Sequence, residues 1–275
     1  TNAGTASLTI TGTGNFTGTK TVSFTISKAD LSTTSITAIP DQTYTGSSIT
    51  ISPTVTFNGS TVTETTDYTV SFTNNTNAGT ASLTITGTGN FTGTKTVSFT
   101  IVKATPTITF SDVTKTYGES DFDLTATSSS TGAFTYTIAD ANVATVTGST
   151  TTIVGAGSTS VTVIQAADAN YNTATATVTL TVSEADIVNA TITAIPDQTY
   201  TGSAITLSPT VDFNGSTVTE TTDYTVSFTN NTNAGTASLT ITGTGNFTGS
   251  KTVSFTIVKA TPTITFVDVT KTYGE

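Results

Sequence analysis

Residues Thr76–Gly93 read TNAGTASLTITGTGNFTG, and the same eighteen-residue string stands at Thr1–Gly18 and at Thr232–Gly249. Within it Leu83 and Ile85 alternate with threonine. Just beyond it Val97, Phe99 and Ile101 alternate with serine and threonine, and upstream Tyr68, Val70 and Phe72 do the same. An apolar residue at every second position places one row of side chains on one face of a strand. No stretch carries helical spacing. Asn58-Gly59 and Asn214-Gly215 lie between alternating runs and predict tight hairpins, because this pair accepts the positive φ angles of a type I′ turn. Pro40, Pro53 and Pro106 suit strand starts or edges, where a missing N–H is tolerated. Roughly seven short strands per repeat, with turn signals every 8 to 12 residues, predict an all-β chain. The expected architecture is a tandem array of small antiparallel immunoglobulin-like sandwiches forming an elongated rod.

The spacing of the string fixes the repeat. Its copies stand 75 and then 156 residues apart, about one and two units. ITAIPDQTYTG at Ile36 returns at Ile192, and ATPTITF at Ala104 returns at Ala260, both offset by 156. Two kinds of unit alternate on this frame. A first type covers 28–102 and 184–258, and a second type covers 103–183. Residues 1–27 read as the back part of another first-type unit and 259–275 as the front part of another second-type unit, as in a segment of a longer chain. The two types share their second halves. Gly79 aligns with Gly157, Phe91 with Tyr171, and Val97, Phe99 and Ile101 with Val178, Leu180 and Val182, so the expected buried positions are the ones that agree. Between units, SKAD, IVKATP and VSEAD leave two to four residues, and linkers that short restrict relative motion. Alternation lowers the risk that near-identical neighbours exchange strands.

Composition narrows the chemistry. The chain has no His, Cys, Met or Trp, and its eight basic residues are all Lys. Without His or Cys the usual nucleophile-base pairs and zinc sites are out of reach, and no spaced acid pair suggests carboxylate catalysis. No enzyme activity, cofactor, metal site or catalytic residue is assigned. A net charge of −10 disfavours nucleic acid and anionic lipid as partners. No stretch reads as a membrane-inserting segment. Threonine supplies 79 of the 275 residues, largely at outward strand positions, which gives a weakly charged polar surface that fits an exported protein.

The runs DQTYTG, TDYTVSFTNNTNAGTASLTITGTGNFTG and KTVSFTI resemble the immunoglobulin-like and MBG-type repeats of large bacterial surface proteins. The stretches from Ala104 to Ile138 and from Ala166 to Val182 are similar to repeats of giant adhesins of gliding Bacteroidota. Together these cover essentially the whole chain. The resemblance implies export across both membranes by a type IX route and display at the cell surface as an adhesive filament used in attachment or gliding. It brings no catalytic motif. The partners implied are the neighbouring repeats, surface glycans and an outer-membrane anchoring or secretion apparatus.

Four features invite a sharper reading, and each has a plainer one. Asp30 and Asp186 at unit junctions, with Glu119, Asp121 and Asp123 in GESDFD, could supply oxygen ligands to calcium, but no calcium-loop motif accompanies them and solvated turn carboxylates are preferred. The row Thr173, Thr175, Thr177, Thr179 and Thr181 has the look of an ice-binding face, yet it also follows from strand propensity. Asn15, Asn90 and Asn246 stand in glycosylation sequons, though an Asn beside Gly is first a turn signal. Lys95 and Lys251 stand at strand starts where an isopeptide link to Asn could form, but no promoting acid is evident. Recurring aromatics such as Tyr44, Tyr68 and Phe91 would serve a binding module acting by avidity, the main rival to a stalk. Their place in core and turn patterns favours packing.

Overall fold

A computed structural model describes residues 2–274. Among them the regular backbone is β-strand, apart from single 3-10 turns at Leu31–Thr33 and Ile187–Asn189, and no helix is long and apolar enough to cross a membrane. By internal contacts the chain parts into two compact units. One holds residues up to 108 with 127–134 and 164–175, and the other holds 109–126, 135–163 and 176 onward.

The first unit is built around one sandwich. Its larger sheet orders the strands Gln42–Thr43, Thr94–Val102, Gly79–Gly87 and Tyr68–Thr73, and its smaller sheet orders Ser35–Ile36, Val55–Phe57 and Ser60–Thr61. These two sheets hold seven strands, and a further short parallel pair, Ala29–Asp30 with Phe91–Thr92, brings the total to nine against the roughly seven expected. Leu83 lies opposite Val97 and Ala81 opposite Phe99, so the rows of two strands share a face. That face, with Leu31, Val55, Tyr68, Ile85 and Ile101, forms a buried core. Beside this sandwich, Gly4–Thr11 and Thr19–Ile26 pair in the same register, Leu8 opposite Val22 and Gly4 opposite Ile26.

The second unit carries two further cores. Leu124, Val143, Ala144, Val161, Leu180 and Val182 form one. Ile187, Val211, Tyr224, Leu239, Ile241, Phe255 and Ile257 are among those forming the other. Each lies between a four-stranded and a three-stranded sheet. Leu180 and Val182 are buried as Phe99 and Ile101 are, the correspondence the two repeat types require.

Two details refine the expected antiparallel plan. In every four-stranded sheet the outer strand runs parallel to the last one: Gln42–Thr43 beside Ile101–Val102, Val113–Thr116 beside Leu180–Ser183, and Gln198–Thr199 beside Ile257–Val258. Pro40 and Pro196 stand just ahead of two of these edge strands, where no ladder N–H is needed. The hairpins at Asn58-Gly59 and Asn214-Gly215 form as predicted. Phe57 pairs with Ser60 across Asn58 (φ 50°) and Gly59 (φ 81°), angles of a type I′ turn.

The threonine-rich faces point outward. Thr173, Thr175, Thr177, Thr179 and Thr181 are all exposed. Cross-strand threonine hydroxyls meet in the four hairpins of long strands, at 2.9 Å for Thr9 and Thr21, 2.8 Å for Thr84 and Thr96, 3.2 Å for Thr162 and Thr177, and 2.8 Å for Thr240 and Thr252. Such pairs favour the strand ladder without adding charge.

Candidate functional site

The turns after the long strands Gly79–Gly87, Gly157–Gln165 and Gly235–Gly243 carry an asparagine followed by an aromatic residue: Asn90-Phe91, Asn170-Tyr171 and Asn246-Phe247. The backbone carbonyl of each asparagine accepts an N–H from the residue where the chain enters that sandwich, Ala29, Ala104 or Ala185, each at 3.0 Å. The aromatic residue then pairs in parallel with the same alanine. So the main chain of one residue fastens the entry strand.

Its side chain does something else. Asn90 Oδ1 accepts the Ala3 N–H at 2.8 Å, Asn170 Oδ1 accepts that of Ala78 at 2.9 Å, and Asn246 Oδ1 accepts that of Ala156 at 2.8 Å. Each donor lies in the turn just ahead of a long strand belonging to the preceding sheets. The other half of the amide is used as well: Nδ2 of Asn90 donates to Asn2 Oδ1, and Nδ2 of Asn170 donates to Asn77 Oδ1, both at 3.2 Å. At Asn246 the counterpart position is Gly155, where a Cβ would lie 3.2 Å from Asn246 Oδ1 and 2.7 Å from the Asn142 carbonyl. A primary amide offers donor and acceptor together, whereas aspartate offers acceptors only. One asparagine thus ties three backbone segments at each of three places.

Aromatic rings close the same joints. Tyr44 meets Tyr171 edge-on with centroids 5.3 Å apart, and Tyr117 meets Phe247 at 5.4 Å. Phe57 supports Phe91 at 5.4 Å, and Phe213 supports Phe247 at 5.0 Å. Edge-to-face pairs of this kind contribute about 0.5–1.5 kcal/mol beyond their buried area. The joint at Phe247 has one further tie, Asn214 Nδ2 donating to the Gly118 carbonyl at 3.0 Å. Gly118 has φ +83°, and a Cβ there would fall 2.7 Å from the Phe213 ring, so glycine is required twice over.

In the turn of Asn170 a carboxylate does the organising. Asp168 accepts the Asn170 and Tyr171 N–H groups at 2.8 Å each, the Thr131 N–H and hydroxyl at 2.9 Å each, and the Ser130 hydroxyl at 3.0 Å. Hydrogen bonds to the charged form, that from the Thr131 N–H foremost, hold its pKa far below the ordinary carboxylate range. Lys103 Nζ donates to the Asp168 carbonyl at 2.5 Å.

The residues singled out in the sequence mostly hold turns. Asp30 caps the Leu31–Thr33 turn by accepting the Ser32 N–H at 2.9 Å, which lowers its pKa, and Asp186 accepts the Val188 N–H at 3.0 Å. Glu119 pairs with Lys115 at 3.1 Å and accepts the Thr116 N–H at 2.9 Å, and its pKa is lowered by Lys115 first. Asp123 accepts the Ser149 and Thr150 hydroxyls at 3.2 and 2.8 Å. Among the described residues no group of three or more His, Cys, Asp or Glu is placed to hold a metal. Lys95 and Lys251 are spent on backbone carbonyls, those of Thr34 and of Val188 and Ala190, at the end of each 3-10 turn. Tyr68 is a core residue, 3% exposed, with its hydroxyl donating to the Pro53 carbonyl at 3.2 Å and its pKa raised by burial. Asn90 and Asn246, read as turn residues inside sequons, prove to be joint residues. Tyr44 looks inward by its pattern but shows its ring to Tyr171. The signal was available: Asn170 aligns with Asn90 yet has Asn172, not Ser or Thr, two residues on.

No known protein family matches the chain, and no curated protein does. Among solved structures it is similar to the protocadherin gammaB7 EC3–6 cis-dimer structure, with 11% identity and a TM-score of 0.29 over 94% of this chain and 85% of that one. It is similar also to domains 4–9 of the surface layer protein SbsC, with 19% identity and a TM-score of 0.26 over 85% of this chain and 48% of that one. Drosophila OTK extracellular domains 3–5 match at 11% identity and a TM-score of 0.26 over 67% of this chain and 72% of that one. Likeness at this level carries no argument about function.

Two outcomes are expected from this geometry. Asn170→Ala removes both side-chain hydrogen bonds of its joint at a net loss of about 1–3 kcal/mol, so cleavage after Lys103 by a lysine-specific protease rises roughly tenfold. Cleavage after Lys28, at the Asn90 joint, stays as it was. Lowering the pH acts on the same turn through Asp168. A carboxyl whose pKa falls on folding adds stability above its unfolded value near 4 and loses it as pH drops toward the folded one. Amide exchange at Asn170 and Tyr171, corrected for intrinsic rates, accelerates from pH 4 down to pH 2, whereas Asp168→Asn shows weak protection at both.

Proposed function

We propose that this chain is a stalk segment of an exported surface adhesin, a non-enzymatic spacer that holds a distal adhesive region away from the cell and bears load. Its sandwiches occupy 28–102, 103–183 and 184–258, flanked by the back part of a first-type repeat at 1–27 and the front part of a second-type repeat at 259–275. The single observation that supports this most is the threefold recurrence of the asparagine joint across sandwiches of both types. A spacer needs consecutive modules to meet the same way each time, and a repeated joint supplies that at low sequence cost. Separate cores add a second property. A module with its own core can open under tension and refold while its neighbours stay closed.

Resemblance to the repeats of gliding-motility adhesins supports display at the cell surface after type IX export, with neighbouring repeats as the immediate partners and surface glycans or an anchoring apparatus as distant ones. The chemistry agrees. A chain with net charge −10 and a threonine-rich exterior has little attraction for nucleic acid or anionic lipid.

Small-angle scattering of the 275-residue chain tests the reading. An extended array has a maximum dimension on the order of 100 Å or more, given strands that rise about 3.3 Å per residue. A compact globule of this length has a radius of gyration of only about 19 Å. A value near that figure overturns the stalk.

A further inference from the structure

The sandwiches ending at Val102 and Val258 carry the same five residues at their far ends, offset by 156: Tyr44 and Tyr200, Asn77 and Asn233, Ala78 and Ala234, Lys103 and Lys259, Ala104 and Ala260. At the first end all five grip one turn, Asp168-Ala169-Asn170-Tyr171-Asn172. The Tyr44 ring meets Tyr171 at 5.3 Å. Asn77 Oδ1 and the Ala78 N–H take the two halves of the Asn170 amide at 3.2 and 2.9 Å. Lys103 donates to the Asp168 carbonyl, and its own carbonyl accepts from Asn172 Nδ2 at 3.2 Å. The Ala104 N–H donates to the Asn170 carbonyl at 3.0 Å.

At the second end the same five residues line an open recess of about 350 Å3. Tyr200 is 40% exposed, and Ala234 is exposed where Ala78 is half-buried. The recess does not depend on an occupant for its shape. Asn231 Nδ2 donates to the Ile205 carbonyl at 2.7 Å, as Asn75 Nδ2 does to that of Ile49. The Ile205 N–H returns to the Asn231 carbonyl at 2.8 Å, as that of Ile49 does to Asn75. The two ends are one device, filled in one case and open in the other.

We infer that the recess of Tyr200, Asn233, Ala234, Lys259 and Ala260 is a socket for the Asp-X-Asn-Tyr-Asn turn of a further second-type sandwich in the same chain. The inference rests on the stalk reading and names the partner of this end. Two observations select the occupant. Residues 259–275 repeat 103–119 at every position except 267, where Val replaces Ser111, so the entering strand is already of the second type. At the first end the Lys103 carbonyl also accepts from the Asn172 side-chain amide, a donor that the Gly-Asn-Phe-Thr-Gly turn of a first-type sandwich lacks, and Lys259 repeats Lys103. A connection of one residue between strand and entry alanine keeps such a turn at high local concentration, whereas a few weak contacts hold a separate molecule poorly.

The test extends the chain with its own sequence. Residues Ser120–Ser183 are placed after Glu275, which completes a copy of the second-type repeat, and cleavage after Lys259 is compared with cleavage after Lys103. The socket predicts that cleavage after Lys259 falls about tenfold, to the rate after Lys103, and that Asn170→Ala in the added copy alone reverses the fall. A folded addition that leaves Lys259 as exposed as before, or an effect indifferent to that substitution, overturns the inference while scattering still judges the stalk on its own. A fall in cleavage of the unextended chain with rising protein concentration also overturns it, because the occupant is then a second molecule. Should the added copy not fold, Lys28–Val102 in place of 259–275 provides the second variant, since the Asn90 joint seats a first-type turn on a first-type end. Failure of both to fold contradicts a preformed socket.

Discussion

Everything in this chain turns on a backbone N–H with nowhere else to go. Ala3, Ala78 and Ala156 each end a turn, outside any strand ladder, and each finds its acceptor in an asparagine of the sandwich that follows. An amide left unpaired in a covered joint is costly, whereas the same amide exposed to water is not. The joint therefore has a preferred state only when the next sandwich is seated. Because the asparagine carbonyl already holds the entry strand, seating and entry are fastened by the same residue. Aromatic pairs complete the contact at Tyr171 and Phe247, and at the Asn170 joint Lys103 and the Asp168 carboxylate reinforce it.

The remainder of the molecule is arranged to leave those joints undisturbed. Each core is closed by aliphatic and aromatic residues, with Leu83, Leu180 and Leu239 fully buried. These sandwiches are small, near the size where a core alone must be filled efficiently. Glycine is placed where the backbone demands it. Gly79, Gly157 and Gly235 have φ of 136°, 150° and 142°, a region that side chains rarely adopt, and each stands directly after the alanine or asparagine-rich turn that feeds the joint. Carboxylates and lysines serve as turn caps, which explains why so few charges suffice. Threonine then covers the outside.

Much of the fold was legible because burial in a strand writes itself with a period of two. Val97, Phe99 and Ile101 announced their face, and Asn58-Gly59 announced its turn through its need for positive φ. The parallel edge pairs were not legible: strands of two residues such as Gln42–Thr43 are too short to show any period. The joint was half legible. Its asparagines stood in view, but a residue's hydrogen bonds to a segment some 90 positions away leave no local pattern, and the sequon around Asn90 and Asn246 pointed elsewhere. Only the comparison with Asn170, which keeps the amide and lacks the sequon, separates the two.

Hydrogen exchange at two alanines in the unaltered chain tests the central claim most directly. Ala78 and Ala234 share the same flanking residues, Asn before and Gly after, so their intrinsic exchange chemistry is the same. Among the described residues Ala78 has an asparagine to donate to, Asn170 at 2.9 Å, and Ala234 has none. The account predicts that Ala78 exchanges at least about tenfold more slowly than Ala234. Equal rates at the two positions would contradict it.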